Sequence, residues 1–411
     1  MSCRIAAAGA VKRPPKPTWW QRPDLGYRKG ALHLGRHDLA GLGTSAGTPL
    51  YAYHAPRVRA NLTRLLTALG ASGVRFRVFY AMKSNRFAPL LAFIRSLGRC
   101  GVDVCSPNEL LLARKCGFKE EAISYTGTSL SDADARCLAR HPGVHVNCDS
   151  LSSLARIARV SPGRHFGLRI NPGVGIGYRA NRRLRYAGGT TKFGIYREQF
   201  PEALALAARS GLKIVGLHFH AGCGYLTPQL PLLDRVFTAA QDFIPRVPEL
   251  RYVNIGGGLG IPLAEGDAPL DLGAWGRLVA RHFGGAPFEV WVEPGDYLVK
   301  DAGVLLLEVT MVERKRRTLF VGVDGGFNLH MEPAFYGLPL EPVPCRQSDA
   351  PKRTVTIAGN INEALDLFAE GVALPLPREG DLLAFLNAGG YGASMSSNHC
   401  MRGRFREVLL P

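Results

Sequence analysis

The sequence predicts an α/β protein, a (β/α)8 TIM barrel joined to a C-terminal β-rich, barrel-like domain. Three observations predict it. Short apolar runs that stop abruptly at Gly, Asp, Asn, Ser or Glu recur eight times between about residues 75 and 296. Segments with helical spacing and many Ala and Leu residues separate most of them. After about residue 300 the alternation gives way to longer strand-like runs. Strand and helix signals in alternation describe a parallel sheet, and eight such units are the number that closes one into a barrel.

The elements follow in chain order. Residues 1–25 are Pro-rich and basic, and poor order is expected there. Residues 26–50 have strand and turn character, as in "LHLGRHDLAGLGTSAGTPLYAYHA", and are expected to join the β-rich domain. The barrel is assigned to 51–300. Its strands are read at "RVFYAMKSN", "GVDVCSPNE", "AISYTGTS", "VHVNCDS", "HFGLRINPG", "KIVGLHFHAG", "YVNIGGG" and "FEVWVEPGD". Its helices include "PLLAFIRSLGR", "PNELLLARKCG", "SLSSLARIARV" and "REQFPEALALAARSG", where apolar residues return every three or four positions. Residues 301–411 form the second domain, from "VLLLEVTMVERKRRTLFVGVDGG", "PVPCRQ", "KRTVTIAG" and "DLLAFLNAGGYGAS", which read as antiparallel strands.

Composition narrows the function. A chain of 411 residues, 46% of them apolar, buries a large core. No run of about 18 apolar residues is present and the N-terminus lacks a signal-type apolar segment, so a cytoplasmic protein without a membrane partner is expected. The formal charge of +18 comes mostly from arginines spread along the chain without a nucleic-acid-binding motif, which argues against a nucleic-acid partner. The densest cluster, "YRANRRLRYAG" at 178–188, reads first as a solvated loop and second as an anion binder. Nine scattered cysteines without a CxxC pair suit reduced thiols better than disulfides or a metal site.

In a (β/α)8 barrel the loops after the strands converge on one face, which gathers Lys83, His220, Gly256, Gly257, Gly258 and Glu293. Lys83 ends an apolar strand. Desolvation there is expected to lower its pKa and let it form an imine with a carbonyl, whereas an inert lysine would only reach out to solvent. Three consecutive glycines let backbone N–H groups approach a phosphate, or simply make a tight turn. Glu293 suits a protonated ring nitrogen, or a structural ion pair. His220 and His218 share a strand face, either as part of a metal site, for which no third ligand is evident, or with one ring lying over a planar cofactor. Imine lysine, phosphate cradle, ring-nitrogen carboxylate and flat histidine are together the set that pyridoxal 5'-phosphate requires. A carboxylate at the ring nitrogen makes a full electron sink, which suits loss of CO2 and argues against an alanine-racemase-like enzyme.

These residues resemble the barrel-type pyridoxal-phosphate decarboxylases of amino acids, the diaminopimelate, ornithine and arginine decarboxylases. The resemblance runs from about residue 30 onward, through "YAMKSN", "GVDVCSPNEL", "HFHAGC", "NIGGGLG", "VEPGD", "NINEALD" and "GGYGASMSSN". The last motif, with "RINPG" and "TKFGIY", favours the diaminopimelate branch. The resemblance implies that Lys83 carries the cofactor, His220 stacks on its ring and Glu293 meets the ring nitrogen. It also implies that Gly256, Gly257, Gly258, Gly295, Cys223 and Tyr391 surround the phosphate, and that Asp296, Glu332, Tyr336 and Glu363 meet the substrate. It further implies a homodimer with a shared site, the "NINEALD" loop coming from the partner.

Departures from the family pattern are informative. Cys223 replaces a serine. Asn362 replaces the cysteine that usually protonates Cα, and an amide cannot do that work, which leaves His399 and Cys400 as candidate acids. Asp296 and Glu332 replace two carboxylate-binding arginines. The expected function is therefore decarboxylation of an amino acid with a distal cationic group, such as lysine, ornithine or arginine, provided Arg179, Arg182, Arg183 or Arg185 does not neutralise those carboxylates. The alternatives are diaminopimelate decarboxylase, a decarboxylase of a conjugated amino-acid intermediate, and a catalytically silent regulator.

Overall fold

The computed structural model describes residues 18–411. Strands β1 (Leu25–Arg28), β2 (Ala31–Leu34) and β3 (His37–Asp38) form an antiparallel sheet, and helix α1 (Leu39–Ala46) follows. Asp38 starts α1 by accepting the Ala40 N–H at 3.0 Å. Leu25, Leu32, Leu34 and Leu39 are buried against Val304, Leu306, Val343 and Ala384, which fastens this segment to the β-rich domain. Residues 1–17 of the stretch expected to be poorly ordered lie outside the described residues. The rest of that stretch is ordered, because Trp20 is buried in the same cluster and Arg22 bridges to Leu25.

Strand β4 (Leu50–His54) is buried at all five positions and pairs with strands of the β-rich domain on both sides. The barrel therefore begins after residue 54 rather than at 51, with helix α2 (Ala55–Ala71). There Val58, Leu62, Leu65, Leu66 and Leu69 make one apolar face. All eight runs read as barrel strands are barrel strands. They are β5 (Phe76–Ala81), β6 (Gly101–Val104), β7 (Ile123–Tyr125), β8 (His145–Cys148), β9 (His165–Arg169), β10 (Lys213–His218), β11 (Tyr252–Asn254) and β12 (Glu289–Val292). They are parallel and closed in sequence order, β12 pairing with β5. Phe79, Val215, Tyr252 and Trp291 fill the foot of the barrel, the Tyr252 and Trp291 rings stacked at 3.7 Å. The opposite mouth takes the strand ends.

The second domain holds β13 (Gly303–Lys315), β14 (Thr318–Val323), β15 (Pro342–Pro344), β16 (Lys352–Ala358), β17 (Leu367–Pro375), β18 (Leu382–Phe385) and β19 (Arg406–Leu410). The sheet runs β15-β18-β13-β14-β16-β17, with β4 beside β13 and β19 beside β4. Two pairings are parallel, β4 with β19 and β14 with β16, the second of them where antiparallel strands were expected. The connection from β14 to β16 is long enough to return the chain to the same end of the sheet, which makes the parallel pairing possible.

Candidate active site

Lys83 lies on a short helical turn, Met82–Ser84, that continues β5. Ser84 Oγ donates to the Ala81 carbonyl at 2.8 Å and closes the turn. Asn85 Nδ2 donates to the Gly389 carbonyl at 2.9 Å, and the Tyr391 N–H donates to the Ser84 carbonyl at 2.7 Å. The second domain is thus clasped to the turn that carries the lysine. Tyr391 adopts the left-handed conformation, φ 55°, which a tyrosine keeps only when its surroundings hold it there.

Lys83 Nζ lies 3.8 Å from Cys105 Sγ. Its ammonium is held above the ordinary range by the Cys105 sulfur once ionised, against the downward push of burial, and by Asp103 and Glu293. The lowered pKa expected from desolvation is therefore corrected, because acidic groups surround the strand end.

Glu293 follows β12 and is buried. Asn254 Nδ2 donates to its Oε1 at 2.6 Å, Ser124 Oγ donates to the same oxygen at 3.2 Å, and His218 Nε2 lies 3.0 Å from Oε2. Burial pushes this carboxyl up, but His218, Lys83 and Asn254 outweigh it and bring it down to about 2, so the group is an anion. His218 thus belongs to Glu293, and His220 takes another task. Its Nδ1 accepts the Gly257 N–H at 3.3 Å, which puts the ring proton on Nε2, 3.5 Å from Cys223 Sγ. Burial, Lys83 and Arg169 keep the His220 ring neutral. Among the described residues no group of three or more His, Cys, Asp or Glu side chains is placed to hold a metal ion.

One cavity is lined by Lys83, His220, Cys223, Gly257, Gly258, Glu293, Gly295, Asp296 and Tyr391. Gly256 is just behind it, its N–H donating to Asn254 Oδ1 at 2.9 Å. The floor tolerates only glycine. A Cβ on Gly258, at φ +92°, would stand 2.0 Å from the Gly222 carbonyl, and one on Gly257 would stand 2.0 Å from that of Glu293. A reactive lysine, a Cβ-free floor, a buried carboxylate and a neutral imidazole around one cavity fit pyridoxal phosphate.

A second cavity shares Cys223, Asp296 and Tyr391 with the first and is walled by Tyr178, Leu184, Tyr186, Glu332, Tyr336, Leu338 and Met395. Glu332 is not free in it. Lys300 Nζ donates to both Glu332 oxygens at 2.6 Å, and His330 Nε2 lies 3.3 Å away. Burial pushes the Glu332 carboxyl up, but Lys300 and His330 bring it below its ordinary value. Asp296 lies 3.6 Å from Lys300, too far for a hydrogen bond, and its Oδ1 is buried without a hydrogen-bond partner among the described residues. Among the described residues none of Arg179, Arg182, Arg183 and Arg185 pairs with these carboxylates, whose ion partners are Lys300 and His330. Arg179 pairs with Asp267 at 2.7 Å, Arg183 donates to the Phe335 carbonyl, and Arg185 donates to that of Ala180 at 3.2 Å.

Asn362, Glu363, His399 and Cys400 are not among the residues lining either cavity; all four are exposed on the second domain. His399 Nε2 lies 3.1 Å from Glu363 Oε1, and its ring packs 5.9 Å from that of Phe327. Sequence reasoning missed Lys300, His330, Tyr178, Tyr186 and Cys105. Lys300 had a signal, four positions beyond Asp296 on one helical stretch. Cys105 also had one, standing just past β6 as Lys83 stands just past β5.

Over residues 56–300 the sequence matches the family described as pyridoxal-dependent decarboxylase, pyridoxal binding domain. The diaminopimelate decarboxylase of Methanothermobacter thermautotrophicus is 36% identical over 408 residues, covering 94% of this chain and 92% of that protein. That of Streptomyces coelicolor is 35% identical, covering 97% of this chain and 91% of its own. The solved structure of diaminopimelate decarboxylase from M. jannaschii in co-complex with L-lysine superposes with a TM-score of 0.85 at 27% identity, covering 94% of this chain and 93% of that one.

Proposed function

The chain belongs to the pyridoxal-dependent decarboxylases, and from that premise we propose that its substrate is an amino acid whose far end carries a cation rather than a carboxylate. The enzyme is a carboxy-lyase that uses pyridoxal phosphate. When bound, the cofactor supplies a carbonyl for the substrate amine and a sink for the electron pair of the broken Cα–carboxylate bond. Lys83 would tether it, the glycine floor and Tyr391 would receive its phosphate, His220 would cover one ring face and Glu293 would hold the proton of its ring nitrogen. The clustering of these side chains around one cavity supports each role.

One observation carries the substrate class. Lys300 gives its hydrogen bonds to Glu332 and meets Asp296 only as an ion partner at 3.6 Å, which leaves Asp296 as the carboxyl without a hydrogen-bond partner in a pocket walled by Tyr178, Tyr186, Tyr336 and Tyr391. Aromatic faces around a carboxylate host an ammonium or guanidinium and repel a second carboxylate. The test compares kcat/KM for lysine, ornithine and arginine with that for meso-diaminopimelate. A preference for diaminopimelate beyond about tenfold, some 1.4 kcal/mol, refutes the cationic pocket. That outcome would establish the second reading, diaminopimelate decarboxylase, which the names of relatives at 35–36% identity favour.

The working form is a homodimer in which residues 360–366 reach the partner's Lys83 site. Asp366 is buried and pins this loop by accepting the Phe327 and Ile361 N–H groups at 2.6 and 2.7 Å, so Asn362 to Leu365 protrude. Of the four large apolar side chains exposed among the described residues, Phe335, Leu365 and Met401 lie around this loop and His399. Such a patch marks an interface.

A further inference from the structure

We infer that Cys105 is the acid that returns a proton to Cα after CO2 has left, in place of the thiol that position 362 lacks. The inference rests on the decarboxylase reading above. Cys105 directly follows β6, two residues after Asp103, so both side chains face the barrel mouth. Its Sγ is 3.8 Å from Lys83 Nζ. With the cofactor held at Lys83, a substrate's amino nitrogen would come to the place of Nζ, with Cα bonded directly to it. A donor beside Nζ is therefore within reach of Cα.

The thiol is also held in position. The Cys105 N–H donates to Glu109 Oε2 at 2.7 Å, while Ser106 Oγ accepts the Glu109 N–H at 3.2 Å and caps the helix Pro107–Lys115. The Ser106 cap and the Glu109 carboxylate together fix the backbone of Cys105 just before the helix. Burial pushes the Cys105 thiol up to about 12 against the pull of Lys83, so at neutral pH it carries the proton it must deliver. The other groups are committed or remote. Cys223 faces His220 at 3.5 Å, the Asn362 amide is no acid, and His399, paired with Glu363, and Cys400 are exposed on the second domain and line neither cavity within the subunit.

The step balances without an oxidant or reductant. The electron pair left on Cα by the departing CO2 forms a C–H bond with the thiol proton as the S–H bond breaks. The thiolate then takes a proton from the Lys83 ammonium, which must lose one before it can recapture the cofactor.

The test uses the full-length holoenzyme with Cys105→Ala and Cys105→Ser. Two measurements are made: the pH titration of the visible band of the Lys83-bound cofactor, and turnover in D2O of whichever of lysine, ornithine, arginine or meso-diaminopimelate the wild type decarboxylates fastest. The amine is analysed for the configuration of its Cα deuterium, and the products for the ratio of amine to carbonyl compound. Wild type should give one configuration. Cys105→Ala should keep the band, shift its titration midpoint, slow turnover by about a hundredfold, and give both configurations together with a carbonyl product. Cys105→Ser should fall between the two. A merely structural role for Cys105 would lower the rate without touching configuration or ratio, and that result overturns the proposal, as does an unmoved titration. Should wild type release CO2 from none of the four, the substrate reading fails and the titration alone decides: a moved midpoint supports Cys105 beside the reacting nitrogen, an unmoved one removes it.

Discussion

Asp296 is where the chemistry of this site becomes measurable. Burial pushes its carboxyl up from 3.8 to about 6, Glu332 adding to the rise and Lys300 opposing it. The group is therefore mostly neutral below pH 6 and an anion above it. If Asp296 receives the distal cation, kcat/KM for a cationic amino acid should climb through about pH 6 and then level. Asp296→Asn should abolish that rise and lower the plateau by about tenfold, as a pH–rate profile will report. The sign for stability is the reverse. A carboxyl whose folded pKa is raised contributes stability that is fully present below 3.8 and lost as pH rises through about 6, about 3 kcal/mol in all. Asp296→Asn should thus raise the melting temperature at pH 7 and leave it nearly unchanged at pH 3.5. Asp296 was legible because it departs from a motif, and Lys83, His220 and Glu293 because each ends an apolar run with a polar group. The Glu332–Lys300 pair was not, since its members come from different elements 32 positions apart and only the fold brings them to 2.6 Å.

At the scale of elements, the glycine loop after β11 carries the sharpest expectation. Gly258→Ala places a Cβ 2.0 Å from the Gly222 carbonyl at a φ that side chains resist. The floor must shift, at a cost of about 1–3 kcal/mol. Absorbance titration with pyridoxal phosphate should show weaker loading, by about tenfold to a hundredfold, with the fold retained in circular dichroism. The barrel strands were legible because a parallel sheet covered on both faces needs short continuous apolar runs. Helix α1 was not, because "LAGLGTSA" carries two glycines and reads as turn. Strands β17 and β19 were missed for a related reason: "LFAEGVALP" is interrupted by Glu370 and Gly371, and most of "REVLL" is only half-buried. Direction is harder still, since nothing in "KRTVTIAG" distinguishes a strand parallel to its neighbour from one that opposes it.

For the whole molecule, the expectation is a site completed across two subunits. Lys83→Ala and Glu363→Ala should each be inactive alone. Mixed, unfolded and refolded together, they should recover about a quarter of wild-type activity, because half of the dimers pair the two variants and each of those has one intact site. No recovery, with dimers confirmed by light scattering, would leave the exposed loop without a catalytic role.

Strand β4 has a consequence in time. It leaves the ribosome early, yet its neighbours are β13, which starts at residue 303, and β19, which starts at residue 406. At ordinary rates of synthesis the first neighbour follows roughly 10–50 s later, and the second later still. Throughout that interval a five-residue strand, destined to be buried at every position, has both edges bare. The barrel can close around its own local contacts in the meantime. Gly389 and Tyr391, the second-domain residues that clasp the lysine turn, can arrive only afterwards, so a newborn chain passes through a stage with a finished barrel and no capacity to work.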